Sequence, residues 1–359
     1  MERWSREKIW AWYNARPWLC GCNYFPADTL NMLDFWQALD FEHHMETARR
    51  EFETARDIGF NTIRIFLSFE VWQVDAEGLK QRLDRFLALA AEYGISVMVT
   101  LGNDCHCPKE QYRAPVVGVR PEVAWGYHGG VAATPFSGTT RVGYNPMVDD
   151  PAALEASYAY VRDIVSAFRD DPRILIWDLW NEPGNSHRDS MSLPCMRRFF
   201  AIAREVGASQ PLTACTWSID CGKEPKFENL KEIEREALEL SDIISFHYYG
   251  RFSHLVEAIA LLKTLGRPIL NTEWLHRLFG NKVETILPTF WLENIGSYNW
   301  GFFAGKSQTY EPWEGLRKRT DLDFSVWQHD LFRENGRPYD PREIDTIRYF
   351  AKKGRAPRA

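Results

Sequence analysis

Apolar runs of strand length recur along the whole chain and alternate with segments whose apolar residues lie three or four positions apart. Short continuous apolar runs bounded by turn residues are typical of strands buried on both faces of a parallel sheet. We predict strands at 19–25, 61–67, 95–101, 174–180, 211–217, 242–246, 268–274 and 298–304.

Between these strands, the spacing of three and four indicates amphipathic helices. The predicted helices cover about 45–58, 79–90, 154–168, 190–206, 228–240, 254–265, 283–295 and 342–352. Eight strands alternating with helices predict an α/β protein, a (β/α)8 TIM barrel. No change of composition suggests a linker, so we expect a single domain over 1–359. A doubly wound open sheet is the alternative, but the turn after the first strand, G-C-N-Y-F-P, lacks the glycines of a phosphate-binding turn.

The longest irregular segment of the chain follows the third predicted strand and covers about 103–150. It is rich in glycine, proline and aromatic residues. Connections of this length inside a compact domain usually form functional lids or walls. We therefore predict that this segment is an active-site loop.

Two predicted strands end in a glutamate. The segment 174–185 reads I-L-I-W-D-L-W-N-E-P-G-N and contains Glu182, and 268–274 reads P-I-L-N-T-E-W and contains Glu273. Each glutamate alone could be a helix N-cap or an ion-pair partner. In a barrel, however, all strands end at the face that carries the active site, so both carboxylates are expected in one cleft.

Arg64 lies inside the apolar run of the second strand. A buried arginine is tolerated only when it is paired, so we expect an acid from a neighbouring strand beside it.

Composition excludes several classes of protein. A net charge of −6 over 359 residues, without a basic stripe, argues against nucleic acid as a partner. No segment is long and apolar enough to suggest a membrane partner, and the charged N-terminus lacks the apolar run of a signal peptide, so we expect a cytoplasmic protein. Nothing in the sequence indicates the oligomeric state.

Cysteine usage agrees with that expectation, since seven cysteines without a regular framework favour reduced thiols. Cys105-His106-Cys107 does not have the spacing of a zinc site, and we expect neither a metal nor a cofactor. The 15 Trp, 22 Phe and 14 Tyr are mostly explained by core packing. Those at strand ends can stack on the apolar face of a sugar.

The strand ends together resemble glycoside hydrolase family 5, which belongs to the clan with glutamates on strands four and seven. W-N-E-P at 180–183 is similar to the acid/base motif of that family, and T-E-W at 272–274 to its nucleophile motif. Arg64 matches the family's arginine beside the nucleophile, H-Y-Y at 247–249 its His-x-Tyr, and Trp300 the tryptophan beneath its sugar site. The resemblance spans essentially the whole barrel.

The resemblance implies hydrolysis by double displacement with retention. Glu273 would be the nucleophile and Glu182 the acid and then the base, with carboxyl groups about 5–5.5 Å apart. Asn181 would bind the sugar 2-hydroxyl, His247 would be a positioning residue, and Tyr249 with Arg64 would keep Glu273 ionised. Further residues expected to bind or support the substrate, an oligosaccharide, are Asn23, Asp104, His106, Trp217, Trp274, Trp300, Lys306, Gln308 and Trp313.

One position departs from the family pattern. Family members often carry a histidine at the end of strand three, where this chain has Gly102, Asn103 and Asp104, and we expect His106 to take that role from the loop.

The expected substrate is a short β-mannoside, because intracellular exo-acting members of the family include β-mannosidases and the 103–150 loop can close one end of the cleft. A β-glucosidase, a β-xylosidase or an endo-β-glycanase of the same family is the alternative. A carbohydrate-binding barrel without turnover is the competing class. The presence of Glu182, Glu273, Asn181, Arg64 and Tyr249 together argues against it.

Overall fold

The computed structural model describes residues 2–132, 141–219 and 226–354. Eight short parallel strands form one sheet, as predicted. They are β1 Cys20–Asn23, β2 Thr62–Phe66, β3 Ser96–Thr100, β4 Ile174–Asp178, β5 Leu212–Thr213, β6 Ile244–His247, β7 Ile269–Glu273 and β8 Gly296–Asn299.

The sheet closes into a barrel. Its strand order is β5-β4-β3-β2-β1-β8-β7-β6, so every strand except the two at the seam pairs with its neighbours in the chain, and β1 pairs with β8. At the seam, Thr216 just after β5 forms a parallel bridge with Phe246 of β6. This confirms the predicted single-domain (β/α)8 barrel.

Helices surround the sheet as the spacing predicts, and most boundaries shift by a few residues, but the helix predicted at 79–90 begins ten residues earlier, at Phe69. They are α1 Arg6–Asn14, α2 Met32–Trp36, α3 Phe41–Ile58, α4 Phe69–Glu92, α5 Pro146–Asp149, α6 Pro151–Ala167, α7 Leu193–Val206, α8 Glu232–Leu240, α9 Phe252–Lys263, α10 Val283–Leu292 and α11 Pro341–Lys353. No helix within the described ranges has the length and apolar content that a bilayer crossing requires.

Three helices, α1 and the short α2 and α5, are absent from the sequence-based expectations, and the position of α1 matters most for the site. Ser5 caps it, and Ile9 and Tyr13, four residues apart, are fully buried. They pack with Met98, Ile176 and other inward residues at the amino ends of the strands. The helix therefore closes the bottom of the barrel and leaves the carboxyl ends of the strands as the open face.

The eighth strand differs from its predicted range of 298–304. It begins earlier, at Gly296, and ends at Asn299. Gly301 has φ +80°, a left-handed conformation that strands do not contain, and the Asn299 side-chain amide donates a hydrogen bond to its carbonyl. The apolar residues after Trp300 therefore belong to the loop above the barrel rather than to the sheet.

Candidate active site

Arg64 is the centre of a buried polar network at the open face. Its Nη1 donates to Glu273 Oε1 at 2.8 Å and to Asn23 Oδ1 at 2.9 Å. Its Nη2 donates to Asp178 Oδ2 at 2.6 Å and to Asn181 Oδ1 at 2.7 Å. Arg64 and Asp178 are fully buried. The guanidinium thereby orients residues from β1, β4 and β7 at once.

The pairing of Arg64 corrects the expectation of an acid on a neighbouring strand. Asp178 lies on β4, which is separated from β2 by β3, and Glu273 lies across the barrel on β7. Inward side chains from alternate strands share one layer of a TIM barrel, so β2 and β4 meet in the interior although they do not pair.

Glu273 is held by groups that favour its ionised form. In addition to Arg64, the Tyr249 hydroxyl donates to Oε2 at 2.8 Å. The ring nitrogen Nδ1 of His247 lies 3.4 Å from the same oxygen. Burial raises the pKa of Glu273, whereas the Arg64 cation and the Tyr249 hydroxyl act to lower it. A carboxylate fixed at both oxygens in this way is oriented for attack on a bound group.

Glu182 faces a different set of neighbours. Its Oε2 accepts hydrogen bonds from the Cys105 thiol at 2.8 Å and from the Asn185 side-chain amide. Its Oε1 lies 2.7 Å from Nδ1 of His247. Burial raises the pKa of Glu182. A carboxyl group with a raised pKa between uncharged partners can keep its proton and act as a general acid.

The backbone at Glu182 is left-handed, with φ +46°. A non-glycine residue in this region costs on the order of 1 kcal/mol, and such residues concentrate at functional sites. The conformation turns the chain sharply at the end of β4, before Pro183 and Gly184.

His247 lies between the two glutamates and is uncharged at neutral pH, because burial lowers its pKa to about 4. One ligand atom each from Glu182, His247 and Glu273 lie within 4.8 Å of one another. Among the described residues, these three form the one group of side chains that could hold a metal ion. The guanidinium of Arg64, 2.8 Å from Glu273, opposes a cation there, and the arrangement suits acid–base and nucleophilic chemistry better.

Several other predicted residues lie beside this centre. The side-chain oxygen of Asn23 accepts a hydrogen bond from Arg64, and its amide nitrogen donates to the Thr272 carbonyl at 2.7 Å. Trp300 is partly exposed, with its ring centroid 6.2 Å from that of Phe66.

Two tryptophans and a lysine line the surrounding loops. Trp313 is partly exposed and packs edge-on against Tyr249 at 5.2 Å. Trp217 donates from Nε1 to the Pro183 carbonyl, beside the turn that carries Glu182. Lys306 is joined to the β1 loop through its backbone amide, which donates to Ala27.

Four of the predicted site residues form hydrogen bonds that hold the barrel and its loops together. Trp274 is buried, donates to Ser297 Oγ at 3.0 Å and packs on Phe290 of α10, outside the barrel. The carboxylate of Asp104 is fully buried and accepts from the backbone amide of Gly184. Gln308 and His106 bind backbone groups of the long loop at Ala124, Gly126 and Asn103. Trp274 therefore does not face the cleft, and the other three support it through the loops.

Three residues of the site escaped the sequence analysis: Asp178, Cys105 and Asn185. Asp178 carried a signal, because an acid inside an apolar strand is the natural partner of a buried arginine such as Arg64. In the sequence, the C-H-C pattern at 105–107 suggests for Cys105 only the role of a metal ligand. Asn185 follows the turn at Glu182, and nothing in its spacing reveals that its amide folds back onto that carboxylate.

The first part of the long loop, 103–132, crosses the open face from β3 towards β8. Gln37 of the β1 loop accepts from the Gly118 amide at 2.8 Å, and Asp40 pairs with Arg120. On the β8 side, Gln308 accepts from the Gly126 amide at 2.6 Å. The predicted loop thus forms a wall anchored on two other loops, and the part of it at 133–140 lies outside the described residues.

Comparison with solved structures shows the same fold. A GH5_18 protein from Streptomyces cattleya, solved with GlcNAc, superposes with a TM-score of 0.59 at 16% identity, covering 96% of this chain and 82% of the other. An exo-β-1,4-mannosidase from Opitutaceae bacterium strain TAV5 gives 0.55 at 16% identity, covering 93% of this chain and 59% of the other.

In sequence, the chain is similar to mannan endo-1,4-β-mannosidase 2 of rice, Oryza sativa subsp. japonica. Identity is 27% over 150 residues, which are 37% of this chain and 30% of the rice protein. The match therefore spans less than a third of that relative.

The family model described as cellulase (glycosyl hydrolase family 5) matches residues 32–296, which include the Glu182 and Glu273 motifs and six of the eight strands in full. With the barrel and the paired glutamates already established, the conclusion is that this chain belongs to glycosyl hydrolase family 5 and is a glycoside hydrolase.

Proposed function

We propose that the protein is a retaining β-glycosidase that removes single sugars from the ends of short β-mannosides. The observation that carries the retaining mechanism is the short distance between the catalytic carboxylates, with one oxygen of Glu182 and one of Glu273 within 4.8 Å. Retaining enzymes hold their two carboxyl groups about 5–5.5 Å apart, whereas inverting enzymes leave about 6.5–9.5 Å for a water molecule.

In this mechanism, Glu273 attacks the anomeric carbon while Glu182 protonates the leaving oxygen. Glu182 then deprotonates a water molecule that releases the sugar from Glu273. Asn181 binds the sugar 2-hydroxyl, and its side chain is oriented for this by Arg64 and by Asn103 Oδ1, 2.8 Å from its amide. Tyr249 and Arg64 stabilise Glu273 when it leaves as a carboxylate.

The wall formed by 103–132 supports exo action, because a cleft closed on one side favours chain ends over the middle of a polymer. The relatives include an exo-β-1,4-mannosidase and a mannan endo-1,4-β-mannosidase. The Streptomyces cattleya relative was also solved in complex with Manβ1-4GlcNAc. These relatives support a mannose-containing substrate for this chain.

The activity is tested with aryl β-mannoside, β-glucoside, β-galactoside and β-xyloside. We expect hydrolysis of the mannoside by the wild type and none by Glu273→Ala. Proton NMR of the first product should show the β-anomer, and an α-anomer would rule out retention. Turnover of another glycoside alone would reassign the sugar, and tight sugar binding without turnover would favour a binding protein.

Exo action is tested separately with β-1,4-mannooligosaccharides labelled at the reducing end. Release of mannose one unit at a time from the unlabelled end is expected. A rapid loss of viscosity of a mannan solution would instead identify an endo-mannanase, as the rice relative is named.

A further inference from the structure

The two carboxyl oxygens of Glu182 have different hydrogen-bond partners. Oε2 accepts from the Cys105 thiol at 2.8 Å and from the Asn185 amide. Oε1 contacts Nδ1 of His247 at 2.7 Å. A side-chain amide nitrogen is always a donor, and a thiol is a donor while it keeps its proton.

The thiol of Cys105 keeps its proton at neutral pH. Burial raises the pKa of Cys105 well above its ordinary value, and the negative charge of Glu182 raises it further. Its sulfur also lies 3.4 Å from Asn185 Nδ2 and 3.5 Å from Asn181 Nδ2. These amides can donate to the sulfur, which leaves the single S–H hydrogen for Glu182.

We infer that Cys105 is a positioning residue for the acid/base glutamate: it fixes Oε2 of Glu182 as an acceptor and leaves Oε1 to carry the transferred proton. The inference rests on the proposed function of Glu182. An oxygen that already accepts two hydrogen bonds has no room for a proton of its own. Oε1 contacts Nδ1 of the neutral His247 imidazole, and the same nitrogen lies 3.4 Å from Glu273 Oε2, so Oε1 is the oxygen of Glu182 on the side of the nucleophile.

The proton transfer balances without an outside reagent. The Oε1–H bond of Glu182 breaks as the leaving oxygen gains that proton and the Glu273–carbon bond forms. Glu182 becomes a carboxylate, which the S–H of Cys105 and the amide of Asn185 stabilise until water returns a proton. Cys105 itself does not ionise.

The test is the pKa of Glu182 measured directly by infrared difference titration, with its carboxyl band assigned by loss in Glu182→Gln. Removing a donor to the ionised form raises a carboxyl pKa, so Cys105→Ala should move the midpoint up by about half a pH unit. Cys105→Ser should restore most of it, because a hydroxyl also donates. Cys107→Ala, a partly buried thiol in the same loop, should change nothing.

Other groups contribute to the pH dependence, and every Cys105 and Cys107 variant retains them. Besides Cys105, the titratable and charged groups around Glu182 are Arg64 on β2 with its partner Asp178 on β4, Cys215 after β5, His247 and Tyr249 at β6, and Glu273 on β7. A midpoint that is unchanged in Cys105→Ala would overturn the inference, as would an equal shift in Cys107→Ala.

A kinetic measurement separates positioning from general damage. Cys105→Ala should lower kcat/KM roughly fivefold for an aryl glycoside with a poor leaving group, which needs the acid. With a 2,4-dinitrophenyl leaving group, which does not, kcat/KM should be unchanged. Equal losses on both substrates would contradict the assignment. If the wild type cleaves no glycoside, the proposed function fails, and the titration still decides the role of Cys105.

Discussion

The ends of β4 and β7 present the same amino acid in two different surroundings. At the end of β7, Glu273 is bound by a guanidinium and a phenol. Beyond β4, Glu182 is bound by a thiol, an amide and a neutral imidazole. Burial raises the pKa of both. Glu273 has a direct ion pair with Arg64 that Glu182 lacks, and this difference fits the roles of nucleophile and acid proposed for the two glutamates.

The largest loss of activity is expected when Glu273, the glutamate paired with Arg64, is replaced. Glu273→Gln keeps the shape of the side chain but cannot form the covalent intermediate, so kcat should fall on the order of 10⁴-fold. Steady-state assays with an aryl mannoside measure it. Glu51→Gln changes a buried glutamate on α3 and should retain activity. An active Glu273→Gln would remove Glu273 as the nucleophile.

Removal of Arg64, the cation that pairs with both Asp178 and Glu273, should lower the stability of the protein as well as its activity. Arg64→Met leaves Asp178 buried without its partner, and we expect a loss of about 3–5 kcal/mol in the free energy of unfolding. Urea unfolding measures this. Arg85→Met breaks an exposed pair with Glu42 and should cost less than about 1 kcal/mol. Similar losses in both variants would show that the buried network is not specially sensitive.

Tyr249→Phe should weaken the nucleophile without breaking the fold. Loss of the donor to Oε2 raises the pKa of Glu273, which must be ionised to react, so the acid limb of kcat/KM should move to higher pH. A loss of roughly tenfold in kcat is expected. Tyr160→Phe removes a buried hydroxyl that has no hydrogen-bond partner and should leave the pH profile unchanged. An unmoved acid limb in Tyr249→Phe would contradict this account of Glu273.

Glu51 extends the comparison to a buried glutamate outside the cleft. Its donors are the Tyr24 hydroxyl and the Ala27 amide, and burial raises its pKa to about 8. A raised folded-state pKa contributes stability that is full below the unfolded value near 4.5 and is lost as the pH rises through about 8. The free energy of unfolding should fall by on the order of 3–4 kcal/mol between pH 5 and 8.

Glu51→Gln checks this directly, because the amide does not titrate. Thermal or urea unfolding of the variant should depend less on pH over that window. An equally steep dependence in the variant would assign the effect to other groups.

The barrel was predictable because the apolar residues of its strands and helices recur in a regular pattern along the sequence. Strands buried on both faces leave continuous apolar runs, and Arg64, Glu182 and Glu273 interrupt or end those runs. Long-range geometry was not predictable in the same way. Cys105 reaches Glu182 across 77 positions of sequence, and no local spacing encodes such a contact. The α1 helix escaped prediction because only Ile9 and Tyr13 mark its buried face.

The left-handed backbone of Glu182 bears on which amino acid would be most stable at this position. Asparagine and glycine adopt this conformation more readily than glutamate, so substitution by either should relax the turn. A residue chosen for stability alone would therefore be asparagine or glycine. Glutamate at a position that disfavours it is consistent with the proposed acid/base role, for which its carboxyl group is needed.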